Sequence, residues 1–441
     1  MRTTTTIAVC FLLLTGNAFA HPPGFQHDIE LFIGGATAET KYLPRVLGDG
    51  TNPNVLCVTA AGDGTLDIYY NDSTGTKGTN YRAYSCTLRS SAPVPAALQG
   101  KSILIHYRLL SGSIIGVTGL TRSTPLDRMD TVNNCTGSHD TTPAPQWVCS
   151  GTVQAVLDVG LSDEEPQLFI GDPNLPPGDT ALSAAEIASI RITPLHAVLV
   201  GMVGNTNLLN AMRTKQGLGA TDRPNITSEQ ITSLLTPNGG PYNKSWAPVT
   251  GTSDIVVVCR RIEGVGTQLA ANEFWGGFPC SSASLLPATA ANSTATYEVH
   301  ENVLIPDEKS CLQTANNNNK LAIGPLFLDN FPTDTSNSAW DFMKIDGNEA
   351  TVANTVAGIY PFYVEETMNV RKTTLTTPLT LQAQFINFLQ GQFQNAANLL
   401  LASPSTGFAA LPTVSPPTAT STNILRSTRF GNTCRTPVLF F

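Results

Sequence analysis

Three observations on this 441-residue chain predict an α/β fold. Apolar runs of strand length recur, each ending in a turn marked by glycine or serine. Helix-length stretches stand between them. Finally, no repeat of solenoid length breaks the alternation, and strands alternating with helices read as a sheet covered by helices.

The elements follow in order. Ile29–Ile33 reads as the first strand, followed by the turn Gly34-Gly35-Ala36-Thr37-Ala38 and a helix starting at Glu39. Ser102–Tyr107 is the second strand and ends at Ser111-Gly112-Ser113. Ala155–Gly160 is the third and ends at Ser162-Asp163. Ile255–Val258 is the fourth, followed by Arg261-Ile262-Glu263-Gly264-Val265-Gly266-Thr267 and a helix over Gln268–Trp275. Open α/β sheets gather their ligand sites at such strand ends. The fourth turn has the best chemistry for an anion, because glycines let backbone N–H groups converge and arginine adds a permanently charged planar fork.

Two stretches look inserted. Asp49–Val94 and Arg122–Val148 are rich in small polar residues and carry cysteines, so both read as surface hairpins or loops held by disulfides. Asn316–Asn319 reads as a loop, and Ser403–Thr422, rich in Pro, Ser and Thr, as an extended surface segment. The end of the chain, with Cys434, reads as docked onto a lobe rather than as a barrel strand.

Residues 1–20 have the pattern of a signal peptide: Arg2, an apolar core over Ile7–Leu14 and the small-x-small site Ala18-Phe19-Ala20 before His21. That predicts a periplasmic or extracellular protein. Of nine cysteines, Cys10 leaves with the signal, and an even set of eight in an exported chain argues for disulfides. Roughly a hundred connectivities exist for eight cysteines. Nearest neighbours in sequence pair as Cys57–Cys86, Cys135–Cys149, Cys259–Cys280 and Cys311–Cys434.

The formal charge is −8, so nothing draws the chain to nucleic acid or to an anionic membrane face, and an anionic ligand must be bound locally against the net field. Enzyme signatures are missing: there is no G-x-S-x-G elbow and no H-E-x-x-H spacing. The six histidines, His21, His27, His106, His139, His196 and His300, are scattered, and His106 and His196 read as satisfied structural residues in apolar surroundings. No cofactor or metal is expected. Trp246, Phe274 and Trp275 read as core.

Taken together, the four turns resemble those of the phosphate-binding type II periplasmic binding proteins, the substrate-binding subunits of phosphate ABC transporters. Gly34-Gly35-Ala36-Thr37-Ala38 matches the end of that family's G-A-G-A-T-F loop, and Gly112-Ser113-Ile114-Ile115-Gly116 keeps the first serine of its G-S-S-G-G. Val159-Gly160-Leu161-Ser162-Asp163 resembles F-G-A-S-D, and Arg261–Thr267 resembles R-x-D-G-S-G-T. Ala322-Ile323-Gly324 is similar to a later G-A-I-G strand. The resemblance implies two α/β lobes around a central ligand cleft, here with disulfide-bearing loop insertions: lobe 1 over residues 27–174 and 340–441, lobe 2 over 175–339. It implies a non-enzymatic protein that binds phosphate or a related oxyanion, with an ABC permease as partner.

Carried onto this chain, the resemblance makes Ala36, Thr37 and Ser113 donors and Asp163 the acceptor for a protonated phosphate oxygen. Arg261 becomes the charged fork, and Gly266 and Thr267 donate from the start of a helix. Val265 stands where the family has serine. The missing hydroxyl implies a loss of roughly 1–3 kcal/mol, about ten- to a hundredfold in affinity. The alternative is an extracellular structural or adhesive protein that keeps the fold with a weak or vestigial anion site.

Each motif alone has a plainer reading. Gly34–Ala38 is a tight turn, Ser162 or Asp163 caps a helix opened by Glu164 and Glu165, and Arg261 pairs with Glu263.

Overall fold

The computed structural model describes residues 21–48, 56–57, 66–71, 78–138, 146–236, 245–280, 297–332, 339–400, 407–431 and 434–440. The proposed signal peptide and parts of both insertions lie outside the described residues.

The first half of the chain contains β1 (Ile29–Gly35), α1 (Glu39–Leu47), β2 (Asp67–Tyr70), β3 (Tyr81–Thr87), β4 (Ser102–Arg108), α2 (Gly112–Thr121), β5 (Leu126–Met129), β6 (Cys135–Ser138), β7 (Gln146–Cys149), β8 (Thr152–Ala155) and β9 (Val159–Ser162). After α3 (Ala184–Ser189), the long strand β10 (Ile190–Asn205) leads to α4 (Thr206–Gln216), β11 (Asn225–Ile226), α5 (Ser228–Leu235), α6 (Ala247–Thr250), β12 (Val256–Arg261) and α7 (Gly266–Ala271). Then come β13 (Tyr297–Asn302), α8 (Ile305–Asn317), β14 (Leu321–Phe327), β15 (Trp340–Phe342), β16 (Lys344–Ile345), α9 (Val352–Val356), β17 (Tyr363–Arg371), α10 (Leu381–Phe393), α11 (Ala396–Leu399) and β18 (Phe408–Ala410).

Fourteen of these strands form one mixed sheet with two parallel centres, while β5 pairs only with β8 and β11 only with β16. β9, β1 and β4 run parallel in one half, and β13, β12 and β14 in the other. The antiparallel pair β10 and β17 joins the two. The result is the expected α/β arrangement of two lobes linked by crossover strands. Its core strands are buried on both faces, so they read as continuous apolar runs: every residue of β14 is buried.

Close packing in the first half depends on glycine. A Cβ on Gly160 would lie 1.5 Å from the Gly116 carbonyl oxygen, and one on Gly116 would lie 2.1 Å from that of Leu161. The absence of side chains there lets α2 sit directly on β9.

Several expectations need correction. The third strand is two pieces, β8 and β9, because Val156–Asp158 leave the ladder. The described parts of the insertions are more than surface loops: β3, β2, β7 and β6 extend the main sheet beyond β4, and Tyr84 is 1% exposed. Asn316 and Asn317 finish α8 instead of forming a loop. Phe408–Leu411, within the supposed surface segment, is buried, and β18 pairs with β10.

Disulfides are present as expected, and Cys57–Cys86 and Cys135–Cys149 pair as neighbours. The other two exchange partners, giving Cys259–Cys311 and Cys280–Cys434. Parallel β12 and β14 require a crossover between them, and α8, which provides it, brings Cys311 onto β12. Trp246 and Trp275 are core residues, each 2% exposed. Among the described residues no helix is long and apolar enough to cross a membrane.

Candidate functional site

The C-terminal ends of β1, β4, β9 and β12 converge on one cavity of about 190 Å³. That is below the roughly 300–1,000 Å³ of sites for drug-sized ligands, so the space suits a small molecule or ion. Thr37, Asp163, Arg261 and Thr267 line it, together with Gly112 and Val265.

The first turn is held from behind. Gly35 has φ of +119°, and a Cβ there would lie 2.0 Å from the Leu161 carbonyl oxygen, so only glycine fits. The Ala36 N–H donates to that oxygen at 2.9 Å, and the Tyr107 hydroxyl donates to the Ala36 carbonyl. Ala36 therefore spends its backbone groups on the fold and is not on the cavity wall.

Ser113 and Gly266 are not on the wall either. The Ser113 hydroxyl donates to Asp163 Oδ2 at 2.7 Å and so positions the carboxyl. A Cβ on Gly266 would lie 2.3 Å from the same oxygen, so the glycine admits Asp163 beside the arginine turn. No full helix begins at Asp163; a 3-10 turn over Pro166–Leu168 follows, and Glu164 and Glu165 are buried. Asp163 is 4% exposed, its Oδ1 has no partner, and burial, reinforced by Glu366, raises its pKa to about 8.

Successive side chains on a strand point to opposite faces, and β12 uses this to separate its two arginines. Arg260 faces Glu263 at 3.3 Å and Glu301 at 3.8 Å. Arg261 faces the cavity, so the Glu263 pairing expected of Arg261 belongs to its neighbour. Arg261 Nε donates to the Asn302 carbonyl at 3.1 Å and Nη2 to that of Val303 at 2.7 Å. These two bonds hold the guanidinium in place, and its remaining Nη1 makes no hydrogen bond among the described residues. Its backbone N–H donates to Gln268 Oε1 at 3.1 Å, which locks the start of α7 against β12.

Val265 is the N-cap residue of α7 and supplies no side-chain cap. A Cβ on Gly112 would meet Val265 Cγ2 at 3.0 Å, and the Ile114 N–H donates to the Gly264 carbonyl at 3.0 Å. The second and fourth turns thus touch across the cleft. The backbone N–H groups of Val265, Gly266 and Thr267 find no acceptor among the described residues. The first N–H groups of a helix have no partner within it, so these three are open to an acceptor from outside the helix.

The same wall holds Arg82, Lys309, Asp329 and Asn330, which sequence reasoning missed. Lys309 Nζ donates to Asn330 Oδ1 at 2.9 Å. Arg82 lies in an insertion and Lys309 on α8, both remote in sequence from the four turns, so no local motif announces them.

Beneath the cleft, His196 departs from its expected role as a satisfied structural residue. Its Nδ1 donates to the Phe393 carbonyl at 3.2 Å, but its buried Nε2 has no hydrogen-bond partner. Burial lowers its pKa to about 4, so the ring is neutral at physiological pH.

No protein-family model and no curated protein sequence matches the chain. Similar solved structures include an ancestral soluble variant of the human phosphate binding protein, at 13% identity and TM-score 0.45, covering 92% of this chain and 98% of that one. Another is an ABC-type phosphate transport receptor from Vibrio cholerae, at 12% identity and TM-score 0.42, covering 84% of this chain and 96% of that one. A third is the CcmR regulatory domain from Synechocystis in complex with 2-PG, at 10% identity and TM-score 0.35, covering 83% and 98%. At these TM-scores the likeness decides nothing about the ligand.

Proposed function

We propose that this chain is an exported solute-binding protein that holds phosphate or a related oxyanion between two lobes and delivers it to an ABC permease. In this reading, cleavage after Ala20 releases the protein into the periplasm or extracellular space. Lobe 1 spans residues 27–174 and 340–441, and lobe 2 spans 175–339. Binding closes the lobes about β10 and β17, and the permease recognises the closed form.

The observation that carries the reading is the set of unmatched groups at one cavity. Val265 and Thr267 offer two unpaired N–H donors, with that of Gly266 between them in the chain, Arg261 adds a held guanidinium with a free nitrogen, and Asp163 adds a buried unpaired oxygen. Donors surround an oxyanion, while a carboxyl among them suits a ligand with a proton to share. Thr37 and Thr267 add hydroxyls, and Ser113 acts through Asp163.

Calorimetry with phosphate, sulfate, arsenate and organic phosphates tests the proposal. Heat with phosphate or arsenate, and less with sulfate, is expected. No heat with any of them at concentrations that detect millimolar binding ends this reading. It would leave the structural or adhesive alternative with a vestigial site, which is favoured by Val265 replacing a hydroxyl donor and packing on Gly112.

A further inference from the structure

We propose that Glu39, His196 and Glu366 form a buried zinc site beneath the cleft. All three are 0% exposed. One ligand atom from each lies within 4.8 Å of the others, with His196 Nε2 at 3.4 Å from Glu39 Oε1 and 3.5 Å from Glu366 Oε2. Zinc bonds of about 2.0–2.1 Å at tetrahedral angles put ligand atoms about 3.4 Å apart. The separations to the imidazole match that value without movement of the chain.

The atoms are also unmatched in any other way. Both oxygens of Glu39, both of Glu366 and Nε2 of His196 are buried without a hydrogen-bond partner. A carbonyl oxygen only accepts, so the 3.2 Å contact with Phe393 fixes the His196 proton on Nδ1 and leaves the Nε2 lone pair facing the two carboxyls. A backbone carbonyl behind a ligating histidine is the usual outer-shell device that orients the ring.

The fold builds this meeting with a β-bulge. Pro194 pairs with Thr367 and Ala197 with Glu365, so Leu195 and His196 together oppose Glu366. The extra residue re-aims the histidine toward the carboxyl, a common use of bulges. Glu39, the first residue of α1, supplies the third ligand.

Charge and ligand type favour zinc. Two carboxylates and a neutral imidazole leave a neutral complex with a divalent ion, which removes the objection to burying the anions. Calcium and magnesium take oxygen ligands in larger number, whereas one nitrogen with two oxygens at this spacing suits zinc. Asp163 acts on the charge of Glu39 and of His196, so an ion here adds positive charge behind Asp163.

The test measures zinc in the full chain expressed and refolded in zinc-containing medium, then dialysed to remove loosely held metal. One zinc ion per chain is expected in the wild type and none in the double variant E39Q/E366Q or in H196Q, each confirmed folded by circular dichroism. A folded wild-type chain without zinc overturns the site and leaves a proton-sharing carboxyl pair. Equal zinc in wild type and variants overturns it too, as does manganese or iron in its place. Should the variants fail to fold, X-ray absorption at the zinc edge of the wild type decides: one imidazole with oxygen neighbours supports the site, and oxygen-only or sulfur coordination overturns it. This readout involves no phosphate, so its failure is distinct from that of the oxyanion cleft.

Discussion

The cleft wall and the Glu39–His196–Glu366 cluster behind it both contain buried polar atoms without partners, yet they are built from opposite materials. The wall presents donors, namely Arg261 and the N–H groups of Val265 and Thr267, and opens to a cavity. The cluster presents acceptors and is sealed. Unpaired donors call for an anion and unpaired acceptors for a cation or protons. On the two proposals above, the same low-dielectric interior would take two ligand chemistries, and the charge of Asp163 is coupled to Arg261 on one side and to Glu39 and Glu366 on the other.

The largest expected effect separates the two regions by pH. Burial pushes Asp163, Glu308 and Glu366 up to about 8, against about 4 in an unfolded chain. Between those values the folded state binds more protons than the unfolded one. The contribution of these three groups is therefore fully present at acid pH and falls as pH rises through that window, by up to about 1.4 kcal/mol per pH unit for each group, which outweighs the opposite contribution of His27 and His196 between pH 5 and pH 8. Thermal melts of metal-free protein at pH 5 and pH 8 check this, and a melting point that is flat or rises with pH would break the assignment. Saturation with zinc is expected to remove the contribution of Glu366 and leave that of Glu308.

Next in size is the contrast between neighbouring arginines. Arg261→Ala removes the charge at the cavity and is expected to weaken phosphate binding by roughly 2–5 kcal/mol. Arg260→Ala, which unpairs Glu263, is expected to lower the melting point with little change in phosphate affinity. Equal affinities for the two variants in calorimetry would mean that Arg261 does not face the ligand.

Asp163→Asn follows, with a loss of roughly 1–3 kcal/mol in phosphate binding and a smaller preference for phosphate over sulfate. A variant that binds phosphate as the wild type does would remove Asp163 from the site.

The smallest effect is a gain. Val265→Ser places a hydroxyl at the turn but gives up the packing of Val265 on Gly112, so it is expected to recover only the lower end of the roughly ten- to hundredfold loss, tightening phosphate binding by up to about tenfold. Unchanged or weaker binding in a titration would show that the packing of Val265 on Gly112 matters more than the missing donor.

Much of the cleft was legible because its parts are local. Each strand-turn pair, from Ile29–Thr37 to Ile255–Thr267, is encoded within a dozen or so neighbouring residues, and open sheets place such turns on one edge. Thr37, Asp163, Arg261 and Thr267 accordingly share a wall. Ala36 and Ser113 came out differently, since the sequence cannot show that Leu161 takes one N–H and Asp163 takes one hydroxyl. Arg82 and Lys309 arrive at the wall from distant segments. The cluster left no sequence trace at all: Glu39, His196 and Glu366 are about 160 residues apart in turn, and the β-bulge that joins two of them exists only once β10 has found its register with β17.

Chain order and composition alone established the α/β alternation, the four turns and their succession, and the use of cysteines in pairs. Those features depend on short-range sterics, glycine freedom and redox chemistry, which act over a few residues. Tertiary structure alone decided that Cys259 joins Cys311 and Cys280 joins Cys434, that Arg260 serves the fold while Arg261 serves the cavity, and that a histidine meets two glutamates out of reach of water. These depend on which distant segments pack together, and that is set by burial of the whole apolar surface, not by any local pattern.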